Sequence, residues 1–195
     1  MTPHTIWYVR HGETVWNFEL RLQGRTDSPL TERGRAHAAE NARTLAECVP
    51  DIAALPFVAS PLGRARASME IIRERLGLSV ESYAVDDRLA EMGVGAWEGM
   101  TLKEVRSTQA DVWAAREAAK WTHLPPGGES YAQVAARLVD WAGGLGGDIV
   151  VVAHGAVGRI LRGLNLGLSN ERIPFFDTPE HDRVYRLSRG TEAVF

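Results

Sequence analysis

The feature that most constrains this chain is Asp148–Ala153, DIVVVA, which after its first residue is apolar at both parities. A half-buried strand alternates apolar and polar side chains. A run apolar on both faces predicts a strand covered on both sides, the habit of a central parallel strand. Further β-type runs are Thr5–Arg10, Leu55–Ser60, Val80–Val85 and, last, Arg183–Leu187. Helical segments lie between them. Thr31 predicts the N-cap of a helix to about Cys48, stopped by Pro50, and Pro61 the first position of a helix to Gly77. Thr101 with Glu104, and Ser130 with Gln133, have capping-box spacing and predict helices to about Lys120 and about Trp141. Another follows Gly155 to Leu166, whereas His11–Pro29, rich in Gly and polar residues, predicts a long loop. Strands alternating with helices predict an α/β fold: a three-layer α/β/α sandwich with a mostly parallel open sheet and helices on both faces. The segment 101–128 exceeds what a crossover needs and ends in Pro-Pro-Gly-Gly. It predicts a small helical cap that sets substrate specificity, inserted in a single domain spanning 1–195.

Composition narrows the function classes. A chain of 195 residues suffices for one substantial core and is short for two. Acidic residues outnumber basic ones, 25 to 22, which argues against nucleic acid as a partner. The single Cys48 leaves no internal disulfide and no Cys-based zinc cluster, and fits a reducing compartment. No apolar run reaches membrane-spanning length, and Met1–Thr5 lacks the basic-then-apolar order of a secretory leader. The expectation is a cytoplasmic protein without a membrane partner. A homodimer is left open.

Open α/β sheets bind ligands beyond the carboxyl ends of their strands. The residues just after each predicted strand are Arg10-His11-Gly12-Glu13-Thr14, Ser60-Pro61-Leu62-Gly63-Arg64, Glu91 and His154-Gly155. Two guanidiniums and two imidazoles predict an anion pocket, and phosphate matches the Arg fork best. A neutral imidazole is a nucleophile near neutral pH. Asn17 and the N–H groups of Gly12 and Gly24 are candidate further donors, and Glu91 a candidate general acid. Arg and His charge can stabilise a transferring group without a metal.

These residues fall into motifs. Arg10–Thr14 resembles the R-H-G-E-T signature of the histidine phosphatase superfamily, in its phosphoglycerate-mutase-like branch. Asn17 with Gln23-Gly24 resembles N-x5-[QR]-G, and Ser60–Ala65 resembles S-P-L-x-R-A. Leu89–Gly99 resembles L-x-E-x3-G-x-[WF]-E-G, Gly128-Glu129-Ser130 the G-E-S that precedes a helix, and Val151–Gly155 the V-x-H-G of a second histidine. The resemblance implies that His11 becomes phosphohistidine, and that Arg10, Arg64 and His154 hold the phosphoryl oxygens with Asn17 assisting. It further implies that Glu91 exchanges protons with leaving group and water, and that Gln23 and Gly24 line the pocket. No metal and no cofactor are implied, and the substrate is a small phosphorylated metabolite. Ser68 stands where the family often has Thr. Met92-Gly93-Val94 after Glu91, and no Arg pair between Thr101 and Gly128, depart from the mutase pattern and favour hydrolysis.

Three alternatives remain: a phosphoglycerate mutase, an inactive phospho-ligand-binding or scaffold protein, and a metal hydrolase using His11 and His154, for which no close-spaced ligand set exists. Glu13, Asp87 and Glu98 rival Glu91 as the acid. His4, His37, His123 and His181 carry no motif and are expected to be surface or core histidines, with contact to substrate the alternative for His123 in the cap segment. Trp113, Trp121 and Tyr131 are expected in the core, with an aromatic wall for a substrate as the alternative. Arg33 and Arg35 are expected on an exposed helix face, and Arg106 and Arg116 on a solvated face, with a second anionic group as the alternative ligand of these last two.

Overall fold

The structure is a computed structural model and describes residues 2–195; Met1, part of the segment weighed for a leader, lies outside them. Along the chain run β1 (Ile6–Arg10), α1 (Val15–Phe18), α2 (Glu32–Cys48), β2 (Phe57–Ala59), α3 (Gly63–Arg75) and β3 (Ala84–Val85). Then come α4 (Leu102–Thr108), α5 (Ala110–Ala118), α6 (Tyr131–Gly143), β4 (Ile149–Ala153), α7 (Gly155–Asn165), β5 (Val184–Ser188) and β6 (Thr191–Val194).

The strands form one sheet in the order β3-β2-β4-β1-β5-β6. The first four are mutually parallel, and β5 and β6 add an antiparallel edge. The apolar run at β4 sits between β1 and β2, with Val151 opposite Tyr8 and Val152 opposite Ala59. All its residues are buried, as its composition requires. Strand alternation splits the core in two. Tyr8, Val58 and Val151 face the layer of α6 and α7, while Val9, Ala59, Val150 and Val152 face that of α2 and α3. Leu45, Met69 and Ile72, fully buried on the second face, each contribute roughly 2–3 kcal/mol of transfer free energy. The α/β sandwich is therefore the observed fold. Among the described residues no helix is long and apolar enough to cross a membrane.

The structure differs from the sequence expectations in four places, each with a physical reason. The strand expected over 80–85 shrinks to Ala84–Val85, an exposed edge with no core to bury. The helix expected from Pro61 begins at Gly63, because the Asp27 carboxylate accepts the Gly63 N–H at 2.6 Å and fixes the helix start from another part of the chain. The helix expected over 101–120 breaks at Gln109 (φ −137°, ψ 47°) into α4 and α5. There the Gln109 Oε1 accepts the Trp97 indole N–H at 2.8 Å. Finally, β6 is a largely exposed edge strand paired to β5, and its polar composition carries no strand signal.

Candidate active site

The helices that follow β1 and β2 pack on one face of the sheet, and the helix that follows β4, which lies between those two strands, packs on the other. Chain departures to opposite faces open a crevice beyond the strands' carboxyl ends. A cavity of about 430 Å³ lies there, lined by Arg10, His11, Asn17, Gln23, Gly24, Arg64 and Glu91. Of the nine residues nominated from sequence, Gly12 and His154 are not on its wall. His154 is fully buried beside the cavity, its ring centroid 5.2 Å from that of His11.

The tautomer of His11 follows from its partners. Nδ1 lies 2.8 Å from the Gly12 carbonyl oxygen, which can only accept, so Nδ1 carries the proton. Nε2 then holds the lone pair, and the Arg64 Nε–H donates to it at 3.3 Å. Burial, reinforced by the neighbouring His154 ring and the Arg64 charge, pushes the His11 pKa well below its ordinary value, so the ring is neutral at pH 7. Burial does the same to His154.

Arg64, also buried, donates to the Gly24 carbonyl at 2.8 Å, the Thr26 carbonyl at 2.9 Å and the Asp27 carboxylate at 2.8 Å. Gly24 sits at φ +54°, the left-handed region glycine tolerates, and so turns its carbonyl to Arg64. The Gly12 N–H, expected as a pocket donor, is instead committed to the Ser68 hydroxyl at 3.0 Å, and Ser68 donates onward to the Arg64 carbonyl at 2.8 Å. Ser68 thus ties the loop after β1 to α3. A Cβ on Gly12 would stand 2.0 Å from the Gly34 carbonyl oxygen, so this loop and α2 touch backbone to backbone.

The Ser60 hydroxyl lies 2.6 Å from His154 Nε2 and accepts the Leu62 N–H. With the hydroxyl proton directed to Nε2, the His154 proton is assigned to Nδ1, which is buried without a hydrogen-bond partner. The Arg10 Nε is a second such buried donor. The Asn17 Oδ1 accepts from the Thr14 N–H and hydroxyl, which leaves its amide nitrogen, a donor, for a ligand. The Glu91 carboxylate accepts the Met92 N–H at 2.8 Å and the Ala156 N–H, in the first turn of α7, at 3.2 Å. Of the rival acids, Glu98 accepts the Arg25 and Thr26 N–H groups and Glu13 meets Thr31 and Arg33. Neither these two nor Asp87 lines the cavity.

Other expectations need correction. Trp113 and Arg116, on α5 beyond the break at Gln109, line the cavity, and so do Tyr131, buried in the core as expected, and Arg106, exposed as expected. His181, expected as an ordinary histidine, donates from Nδ1 to the His11 carbonyl at 2.6 Å, and burial pushes its pKa down to about 3. Lys120, Arg159 and Thr178 also line the cavity and were not singled out from sequence. Arg159 lies one helical turn beyond Gly155 on α7, a spacing that would have found it. His181 and Thr178 lie in the irregular segment before β5, where no periodicity exists to read. Among the described residues no group of three or more His, Cys, Asp or Glu is placed to hold a metal ion.

Comparison with known proteins agrees with this geometry. Residues 6–192 match the profile of the histidine phosphatase superfamily (branch 1). Glucosyl-3-phosphoglycerate phosphatase of Mycolicibacterium vanbaalenii is 36% identical over 180 residues, covering 85% of this chain and 76% of that protein. A protein of Erwinia tasmaniensis named "Probable phosphoglycerate mutase GpmB" is 36% identical over 135 residues, 68% of this chain and 59% of its own length. A solved structure of a mycobacterial glucosyl-3-phosphoglycerate phosphatase complexed with VO3 superposes with a TM-score of 0.79 at 31% identity, covering 95% of this chain and 92% of that one.

Proposed function

This chain belongs to the histidine phosphatase superfamily (branch 1), and on that premise we propose how its own residues divide the hydrolysis of a small phosphomonoester through phosphohistidine. One observation carries the reading: His11 is neutral, protonated on Nδ1, and offers its Nε2 lone pair on the cavity side, where Arg64 donates to it. A buried neutral imidazole whose free nitrogen faces a cation is a nucleophile set beside an oxyanion site.

In the first step Nε2 attacks phosphorus in line with the ester oxygen. The Arg64 Nε–H passes from the lone pair to a phosphoryl oxygen, joined by Arg10, the amide nitrogen of Asn17 and the Nδ1–H of His154. The P–O bond breaks, its electron pair goes to the leaving oxygen, and that oxygen takes the proton of Glu91. In the second step the Glu91 carboxylate takes a proton from water, which attacks phosphorus. The P–N bond breaks and returns its pair to Nε2. Glu91, anchored by the Met92 and Ala156 N–H groups, keeps one orientation through both steps. Gln23 and Gly24 shape the pocket wall, and the segment 101–128 acts as the cap over it. The guanidiniums and His154 supply the charge and donors that the transferring group needs, so no step calls for a metal or cofactor. The single free Cys48 supports the cytoplasm as the place of action.

The test is phosphate release from a panel of phosphomonoesters with EDTA present, on the wild type and His11→Ala. Release by the wild type that falls at least about 10³-fold in the variant, with the melting transition retained, is the expected result. Comparable release by the variant contradicts the assignment. Interconversion of 3- and 2-phosphoglycerate faster than phosphate release would replace hydrolysis by exchange.

A further inference from the structure

The cavity carries more positive charge than its phosphate end uses. Besides Arg10 and Arg64 its wall holds Arg21, Arg106, Arg116, Lys120 and Arg159, and among the described residues the only carboxylates on that wall are Glu91 and Glu117. The chain as a whole is net negative, so this clustering is local. Arg21 is already engaged, with Nε 2.9 Å from Glu19 and Nη1 donating to the Gly99 carbonyl at 2.7 Å. Arg116 and Lys120 share Glu117, at 2.6 Å and 3.9 Å. Arg159 has no carboxylate partner among the described residues. Its Nη1 donates to the Tyr131 hydroxyl at 2.6 Å, its Nη2 to the Thr178 hydroxyl, and its Nε is buried without a partner.

Arg106 is exposed, but Arg116, Lys120 and Arg159 are not solvated surface charges. The side chains of Arg116 and Lys120 are each only 15% exposed. Aromatic faces hold them in place: the Arg116 guanidinium lies 5.0 Å from the Trp113 ring and the Lys120 ammonium 4.5 Å from the Phe175 ring. Burial first, and then the Arg116 charge, push the Lys120 pKa down. Like charges gathered out of water cost free energy unless an anion joins them. Arg159 is further fixed by its two hydroxyl partners, which leaves its geometry set before any ligand arrives.

We propose that the substrate carries a second anionic group, a carboxylate or a second phosphate, on the leaving-group side, and that Arg159 of α7 binds it together with Arg116 and Lys120 at the end of α5. The inference rests on the phosphatase reading and names the substrate class of that same site. Glu117 holds the two cap cations in the unliganded site, and the incoming anion takes over part of that role.

The experiment compares kcat/KM within pairs that differ by the second anion alone: 3-phosphoglycerate against glycerol 3-phosphate, 6-phosphogluconate against sorbitol 6-phosphate, and fructose 1,6-bisphosphate against fructose 6-phosphate. p-Nitrophenyl phosphate, which has no second anion, is assayed alongside. The wild type should prefer the doubly anionic member by at least about tenfold in one or more pairs, the usual weight of a charge-assisted contact. The pairs separate the carboxylate source from the phosphate source. Lys120→Met and Arg159→Met should each reduce that ratio about tenfold. If either variant fails to fold, Arg116→Gln and a salt series on the wild type replace it; the preference should shrink from about 50 to about 500 mM salt. A wild-type ratio within about twofold in every pair, or a ratio unchanged by these substitutions or by salt, overturns the inference while leaving hydrolysis intact. Inactivity on every compound, p-nitrophenyl phosphate included, overturns the phosphatase reading and this inference with it.

Discussion

Gly34 stands in the first turn of α2, where alanine normally outranks glycine by about 1 kcal/mol. Here the sign reverses. A Cβ on Gly34 would lie 1.9 Å from the Glu13 carbonyl oxygen, two residues past His11, and backbone cannot swing aside as a side chain would. Gly34→Ala should therefore cost about 2–4 kcal/mol in a melting experiment and lower kcat by displacing the loop that holds His11. A melt and a kcat equal to wild type would contradict the close approach. The same scale shows what sequence can reveal. His11, Arg64, Glu91 and His154 were legible because each follows a strand and sits in a motif. The commitment of the Gly12 N–H to Ser68, and the donation from His181 to the His11 carbonyl, were not, because both join residues far apart in the chain with no pattern between them.

Elements were legible where local chemistry ends them. Thr31 and the Ser130–Gln133 box place α2 and α6 closely. Boundaries set by distant residues were not: Asp27 starts α3, and the pull of Trp97 on Gln109 accompanies the break between α4 and α5. That break brings Trp113 and Arg116 to the cavity, so the missed boundary also hid part of the site. Gln109→Ala leaves the Trp97 indole N–H, on a buried ring, without its acceptor. It should cost about 1–3 kcal/mol in stability and raise KM for the preferred substrate while kcat changes less than about threefold. Melting and steady-state kinetics read both; an unchanged KM would separate the cap from substrate binding.

At the scale of the whole molecule, the layout of the sheet followed from the DIVVVA run and the alternation of strands and helices, while the antiparallel edge at β6 gave no signal. The fold also buries imidazoles. His11 and His154 are held well below the ordinary histidine range and His181 at about 3, whereas an unfolded chain titrates them near about 6.5. Between those values the unfolded chain binds protons that the folded one does not. Stability is therefore fully present above about pH 6.5 and is lost as pH falls toward 5 and below, by up to about 1.4 kcal/mol per pH unit for each buried imidazole. Melting temperatures measured from about pH 8 to pH 5 should fall across the lower half of that range, with proton uptake on unfolding. His154→Asn should flatten the slope. A flat profile in the wild type would contradict the neutral, buried imidazole pair.

In the proposed mechanism that pair lets one nitrogen form a bond to phosphorus. The most direct measurement is rapid acid-free quenching of the enzyme with substrate labelled in its phosphoryl group, followed by peptide mapping. The label should be stable to base, labile to acid, located on Nε2 of His11, and absent from His11→Asn. Label on another residue, or turnover with no phosphoenzyme and no exchange of phosphate into the protein, would contradict the account.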